Sequence, residues 1–260
     1  MSTISTIHGI VARDLVRTTR QKGRLLGGIV RPLMWLLLVG TGFNAIARVA
    51  GGISYQEFVY PGIVVMAGLF GAMLMAISTV YDREFGVLRL MLASPAGVGA
   101  VLSGRVIAAA LVGLLQGAVV LVLAPAFLAT SASQMAAAAG ALALGYIVNS
   151  VLGMLVAARL RSVENFAGVI NVVLFPLIFV SGALYPTDGM PAALRLVARI
   201  NPVTYQVDLM RHAFGQVTEF PAGTDALVLV AVALVLFAVT RLLFDPEQRF
   251  IRPKADKPAA

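Results

Sequence analysis

The 260-residue chain contains no cysteine, which removes disulfide cross-links, thiolate metal sites and thiol nucleophiles together. Charge is almost as scarce: 12% of residues are Asp, Glu, Lys or Arg, against about 25% in soluble domains. The lysines are Lys22, Lys254 and Lys257, and no glycine precedes a lysine. The phosphate-cradling loop G-x-x-x-x-G-K-[ST] is therefore missing, and with it that template for ATP hydrolysis. Histidine occurs at His8 and His212, without the H-E-x-x-H spacing of an intramembrane metalloprotease. Neither a catalytic residue nor a metal site is expected from these patterns. The interiors of the long apolar runs hold essentially no ionisable groups, which argues against an intramembrane nucleophile–base pair and against a proton- or sodium-coupled carrier.

What the chain has in abundance is hydrocarbon. Hydrophobic residues make up 59% and the mean hydropathy is +0.91, above the roughly 45–50% of soluble domains, so the expected class is an all-α integral membrane protein. Six apolar segments meet the requirement of roughly 20 residues to cross a bilayer: Leu25–Ala47, Phe58–Val80, Val101–Ala129, Gln134–Ala158, Phe166–Leu184 and Asp225–Phe244. The third is too long for one perpendicular crossing; Pro125 and Thr130 are expected to mark its outer end and Arg105 to snorkel at its inner end. The first run is longer than the 7–15 residues usual in a signal peptide, so Ala45-Ile46-Ala47 is read as the end of a retained anchor.

Of the 20 Lys and Arg residues, all but Arg48, Arg195, Arg199 and Arg211 fall on one side of this map. By the positive-inside rule both termini are cytoplasmic, and the +8 net charge reports orientation instead of nucleic-acid binding. The expected organisation is an amphipathic cytoplasmic segment over residues 1–24, a six-helix domain over 25–244 and a basic cytoplasmic tail over 245–260. In the first of these, Ile7, Ile10, Val11 and Leu15 share a helical face opposite Arg13, Arg17 and Arg20, as in a helix lying in the membrane interface. Gly23, Gly27 and Gly28 are expected to supply the bend into the membrane.

Between spans two and three, Tyr81–Pro95 reads as a short cytoplasmic helix with Phe85, Leu88 and Leu92 on one face. Nothing else on that side of the chain is large enough to cover this face, so it is expected either to lie on the bilayer or to plug into a separate soluble subunit. Between spans five and six, Tyr185–Thr224 carries Pro186, Pro191, Pro202 and Pro221 among apolar residues. It suits an outer lid or re-entrant hairpin holding two short helices, one through Met190, Leu194, Val197 and Ile200 and one over Val203–Phe214. Gln116, Asn149 and Asn171 lie deepest in their spans, as interhelical hydrogen-bonding groups or parts of a substrate path. Gly113-x-x-x-Gly117 has small-residue spacing, and Met66, Met73 and Met75 suit packing roles in span two.

The stretch Phe175-Pro176-Leu177-Ile178-Phe179-Val180-Ser181-Gly182-Ala183-Leu184-Tyr185-Pro186, then Met190-Pro191, Asn201-Pro202-Val203-Thr204-Tyr205 and Arg211, resembles the signature of ABC-2 type exporter permeases. That group includes permeases for nodulation factor, daunorubicin, O-antigen and teichoic acid. The resemblance implies a second permease copy, two copies of a separate ATPase subunit that binds ATP and Mg, and export of an amphipathic, drug-like or lipid-linked substrate across a bacterial inner membrane. It makes the loop after span two a coupling helix docking through Glu84, Phe85, Leu88, Arg89 and Leu92. Ser181, Gly182, Tyr185, Pro186, Pro191, Asn201, Pro202, Tyr205 and Arg211 are then expected to shape or gate the outer segment. A non-transporting membrane scaffold and a secondary carrier are the alternative functions.

Overall fold

A computed structural model describes residues 3–44, 52–93, 97–160 and 162–244. Among them all regular structure is helical. Helix α1 (Thr3–Arg20) is followed at once by α2 (Lys22–Met34), which continues as a π-helical stretch, Trp35–Gly40, and a last turn, α3 (Thr41–Asn44). Then come α4 (Tyr55–Glu84), the short α5 (Val87–Leu92), α6 (Gly97–Val122), α7 (Ala132–Arg159), α8 (Val163–Phe179), α9 (Ala192–Ile200), α10 (Pro202–Phe214) and α11 (Ala222–Phe244).

The ends of these helices follow from local chemistry. Ser54 and Glu57 form a reciprocal capping box at the start of α4, as Ser131 and Gln134 do for α7. Ser162 and Asn201 cap α8 and α10 with their side-chain oxygens. At 30 residues α4 is about 45 Å long. It is also the hub, buried along nearly its whole length and packed against α6, α7 and α10. Helices α2 and α11 are peripheral and leave most of their apolar residues uncovered by the chain.

Among the described residues, five helices are long and apolar enough to cross a membrane: Leu25–Phe43, Tyr55–Glu84, Gly97–Ala126, Ala132–Arg159 and Ala222–Phe244. The remaining expected span corresponds to α8. Its 17 residues rise only about 25 Å, because the chain turns at Val180–Ser181 instead of continuing to Leu184. The third segment begins earlier than expected, at Gly97, and ends near Pro125 as expected, since α6 stops at Val122 and Pro125 lies in a following 3-10 turn.

The N-terminal helix forms as its periodicity predicts, but it does not rest on the membrane interface alone. It packs along α6, burying Ile10 against Gly104 together with Asp14. The break between α1 and α2 falls at Gln21, whose backbone is non-helical, while Gly23, Gly27 and Gly28 lie within α2. Gly28 has another use: a β-carbon there would collide with the Gln116 side chain.

Candidate functional site

Helix α5 corrects the sequence reading of what covers the loop after span two. Gly86, at φ +76°, reverses the chain after α4 and folds α5 back against α4 and α6. Leu88 and Leu92 are thereby buried in the chain's own core, so the face expected to need an outside partner is already covered. The outward side is different: Phe85 is 73% exposed and Leu90 76%, with Glu84 and Arg89 beside them. Phe85 stacks on Tyr81 with centroids 6.2 Å apart. A six-residue helix shows which residues share a face but not which face meets the rest of the chain.

The loop is clamped to the turn between α7 and α8. Glu84 accepts the backbone N–H of Val163 at the N-terminus of α8, and Arg83 donates to the carbonyls of Ala157 and Leu160 at the end of α7. Each charge complements the helix end it meets. Arg83 also lies over the Phe244 ring. Behind α5 lies a charge cluster. Arg105 is fully buried instead of snorkelling, ion-paired with Asp82 and 3.4 Å from Asp14. Arg13 and Arg17 reach Asp82 from α1 at 2.9 and 2.7 Å. Burial opposes the charge on Arg13, but its hydrogen bond to Asp14 and the fields of Asp14 and Asp82 prevail and raise its pKa.

In the middle of the bundle the polar residues bond to the protein. Gln116 donates to the Leu25 carbonyl, joining α6 to α2, and Asn149 accepts from Gln206, joining α7 to α10. The Asn171 side chain lies outside the described residues. Tyr146 occupies the space left by Gly68, Gly113 and Gly117 and donates to the Val64 carbonyl. The Gly113-x-x-x-Gly117 spacing thus accommodates an aromatic ring. Met66, Met73 and Met75 are buried. A lateral cleft of about 240 Å³ opens between α2, α4 and α8, with Gly28, Arg31, Phe70, Met73 and Phe166 in its walls. Arg31 lies 4.8 Å over the Phe70 ring, the cation of an otherwise apolar surface.

The proline-rich outer segment is built around a turn after α8. Ser181 donates to the Ile178 carbonyl and accepts from Ala183 N–H, and Gly182 takes φ +80°, a region other residues enter at a cost. The Gly182 carbonyl accepts from Arg211, whose guanidinium lies 4.5 Å from the Phe58 ring centroid. Burial lowers the Arg211 pKa, and the nearby Asp208 and Glu219 partly offset this. Asn201 donates to the Leu177 carbonyl while capping α10, Pro202 starts that helix, and Tyr205 donates to the Arg199 carbonyl. Pro191 precedes α9, and Pro186 lines an outer hollow with Arg211 and Glu219. Tyr185 is partly exposed. Helix α9 stays peripheral, whereas α10 inserts among α4, α7 and α11.

One cluster has no counterpart in the sequence reading. Asp208 and His212, one turn apart on α10, meet Asp225 from the first turn of α11, with the three ligand atoms within 4.8 Å of one another. Asp208 accepts the backbone N–H groups of Glu219 and Phe220, and His212 Nε2 lies 2.7 Å from the Phe220 carbonyl. Tyr205 stacks on Phe220 nearby, and its pKa is raised by burial first and by Asp225 and Glu219 next. The available signals were the i, i+4 spacing of Asp208 and His212 and a lone carboxylate opening an apolar helix.

Comparison with known proteins places this geometry. Residues 6–214 match the ABC-2 type transporter family. Nodulation protein J of Rhizobium leguminosarum bv. trifolii is 30% identical over 189 residues, covering 72% of each chain. The transport permease ycf38 of Pyropia yezoensis is 30% identical over 223 residues, covering 83% of this chain and 76% of the relative. Inner membrane transport permease YadH of Escherichia coli K12 is 23% identical over 72% of this chain and 74% of its own.

Proposed function

The chain belongs to the ABC-2 type transporter family of multi-pass membrane permeases, which normally work with an ATP-binding subunit, and on that premise we propose that it is the transmembrane subunit of an ATP-driven exporter. Its substrate class is amphipathic, drug-like or lipid-linked. Two copies of this chain pair with two ATPase subunits, which bind the ATP and Mg, in a bacterial inner membrane with both termini cytoplasmic. In this reading α8 is the sixth crossing element, residues 1–24 form the cytoplasmic interface segment, 25–244 the transmembrane domain and 245–260 a cytoplasmic tail. The tail lies outside the described residues.

The observation that carries the proposal is the outward surface of α5. Leu88 and Leu92 root the helix in the bundle, leaving Glu84, Phe85, Arg89 and Leu90 exposed on its outward side. A load applied to Phe85 passes directly to α4, to the start of α8 through Glu84 and to the end of α7 through Arg83. The lateral cleft between α2, α4 and α8 supports an apolar path with a single cation, suited to an amphipathic molecule with an anionic head. Ser181, Gly182, Asn201 and Arg211 act in this reading as the frame of the outer segment, and Gln116 and Asn149 as interhelical ties.

The test separates docking from folding. The Phe85→Asp, Leu90→Asp double variant should express and insert like the parent but lose co-purification of the ATPase and export from proteoliposomes. Leu88→Asp should instead lower the yield of folded protein, because it buries a carboxylate in an apolar site. The isolated chain should hydrolyse no ATP. A double variant that keeps both the ATPase and transport would overturn the docking assignment, and an intact complex that moves no amphipathic substrate would favour a scaffold.

A further inference from the structure

We propose that Asp208, His212 and Asp225 bind a divalent transition-metal cation that clamps α10 to the start of α11, at the end of the molecule opposite α5. The first support is geometry. Zinc holds nitrogen and oxygen ligands at about 2.0–2.2 Å, which places tetrahedral neighbours roughly 3.3–3.5 Å apart. His212 Nε2 and Asp225 Oδ2 are 3.6 Å apart, and no pair in the trio exceeds 4.8 Å. Small side-chain rotations close the remainder.

The second support is independent of spacing. Asp225 is fully buried, and neither of its carboxylate oxygens has a hydrogen-bond partner, although Oδ2 lies 3.6 Å from His212 Nε2. An uncompensated buried carboxylate is costly, and a bound cation removes that cost. Asp208 is already oriented, because the N–H groups of Glu219 and Phe220 hold its oxygens. Those same bonds bring the Phe220 carbonyl to 2.7 Å from Nε2, as a fourth donor on the edge of the site.

The donor set narrows the ion. One imidazole, two carboxylates and one carbonyl suit zinc, manganese, cobalt or nickel. They are too few and too nitrogen-containing for calcium, and too hard for copper(I). A bound ion would replace the Nε2–H bond to Phe220 with coordination and would tie residues 215–221, which link the two helices, to both of them. The outer segment would then be fastened by metal on the α10–α11 side as well as by Arg211 on the α4 side.

The experiment uses the full chain in detergent micelles, purified without a histidine tag, stripped with chelator and titrated with Zn²⁺ alone. One saturable site per chain and a zinc-dependent rise in melting temperature are expected. Asp225→Asn should weaken binding at least 100-fold and abolish that rise, while melting no lower than the parent in chelator, since it neutralises an unpaired carboxylate. His212→Gln keeps an amide donor for the Phe220 carbonyl and should weaken binding at least tenfold; His8→Gln should not. No saturable binding by the parent, or unchanged binding in Asp225→Asn, would refute the site. So would a lower melting temperature of Asp225→Asn in chelator, which would make Asp225 the ion-pair partner of a protonated His212.

Discussion

At the Glu84 end of α4, buried carboxylates gather guanidinium groups, with Arg83 alone turned to backbone carbonyls; at the Tyr55 end, guanidinium, amide and hydroxyl donors meet backbone carbonyls. Asp82 gathers Arg105, Arg13 and Arg17 from two other helices, and Asp14 adds a second acidic group. Arg211 and Arg195 instead donate to the carbonyls of Gly182, Asp188 and Met190, and Asn201 and Tyr205 do the same for Leu177 and Arg199. Charge pairs join whole helices at a point where force is proposed to enter. Carbonyl bonds fix an irregular chain whose backbone groups have no helical partners. The two ends should therefore respond differently to loss of one side chain.

The largest effect belongs to the charged end. Arg105→Met should destabilise the folded protein by about 3–5 kcal/mol, because it removes the one fully buried cation of the cluster and leaves the buried Asp82 and Asp14 only the partly exposed Arg13 and Arg17. Thermal unfolding of the purified chain in micelles measures this, and a loss no larger than that of Arg211→Met would erase the distinction between the ends. At the other end, Arg211→Met orphans a carbonyl instead of a carboxylate, so about 1.5–3 kcal/mol is expected in the same assay. Gly182→Ala tests the turn itself. A left-handed backbone costs a non-glycine residue about 1–2 kcal/mol, and the new methyl would meet Thr187 at 3.0 Å. Protease sensitivity of the outer segment should rise in this variant while the α1–α6 contact is unchanged.

The smallest effect sharpens the charged end from within. Arg13 is 38% exposed where Arg105 is 1%, so Arg13→Ala should cost about 0–1 kcal/mol and the cost should shrink further in high salt. An Arg13 effect as large as that of Arg105, or one indifferent to salt, would mean that the cluster acts as a single unit.

The family signature was legible as a string, but its function as a frame was not. Ser181, Gly182, Asn201 and Arg211 were identifiable by spacing, whereas their hydrogen bonds run to carbonyls that the sequence does not mark. Nothing in the sequence marks Asp14 and Asp82 as partners in one cluster, because each looks like an ordinary surface acid in its own segment. Arg105 was visible, but snorkelling and ion pairing make the same demand on sequence, a basic residue near a helix end.

The sequence alone determined the helical class, the apolar membrane-spanning character and the start of α10 at Asn201-Pro202, because hydropathy, length and capping act over a few neighbouring residues. Tertiary structure decided which groups meet: Leu88 and Leu92 turned inward and Phe85 and Leu90 outward, Asp82 joined to Arg105 and α1, and Asp225 placed beside His212. These outcomes depend on how helices distant in sequence pack, and a helical face or a lone charge has many chemically adequate partners until that packing selects one.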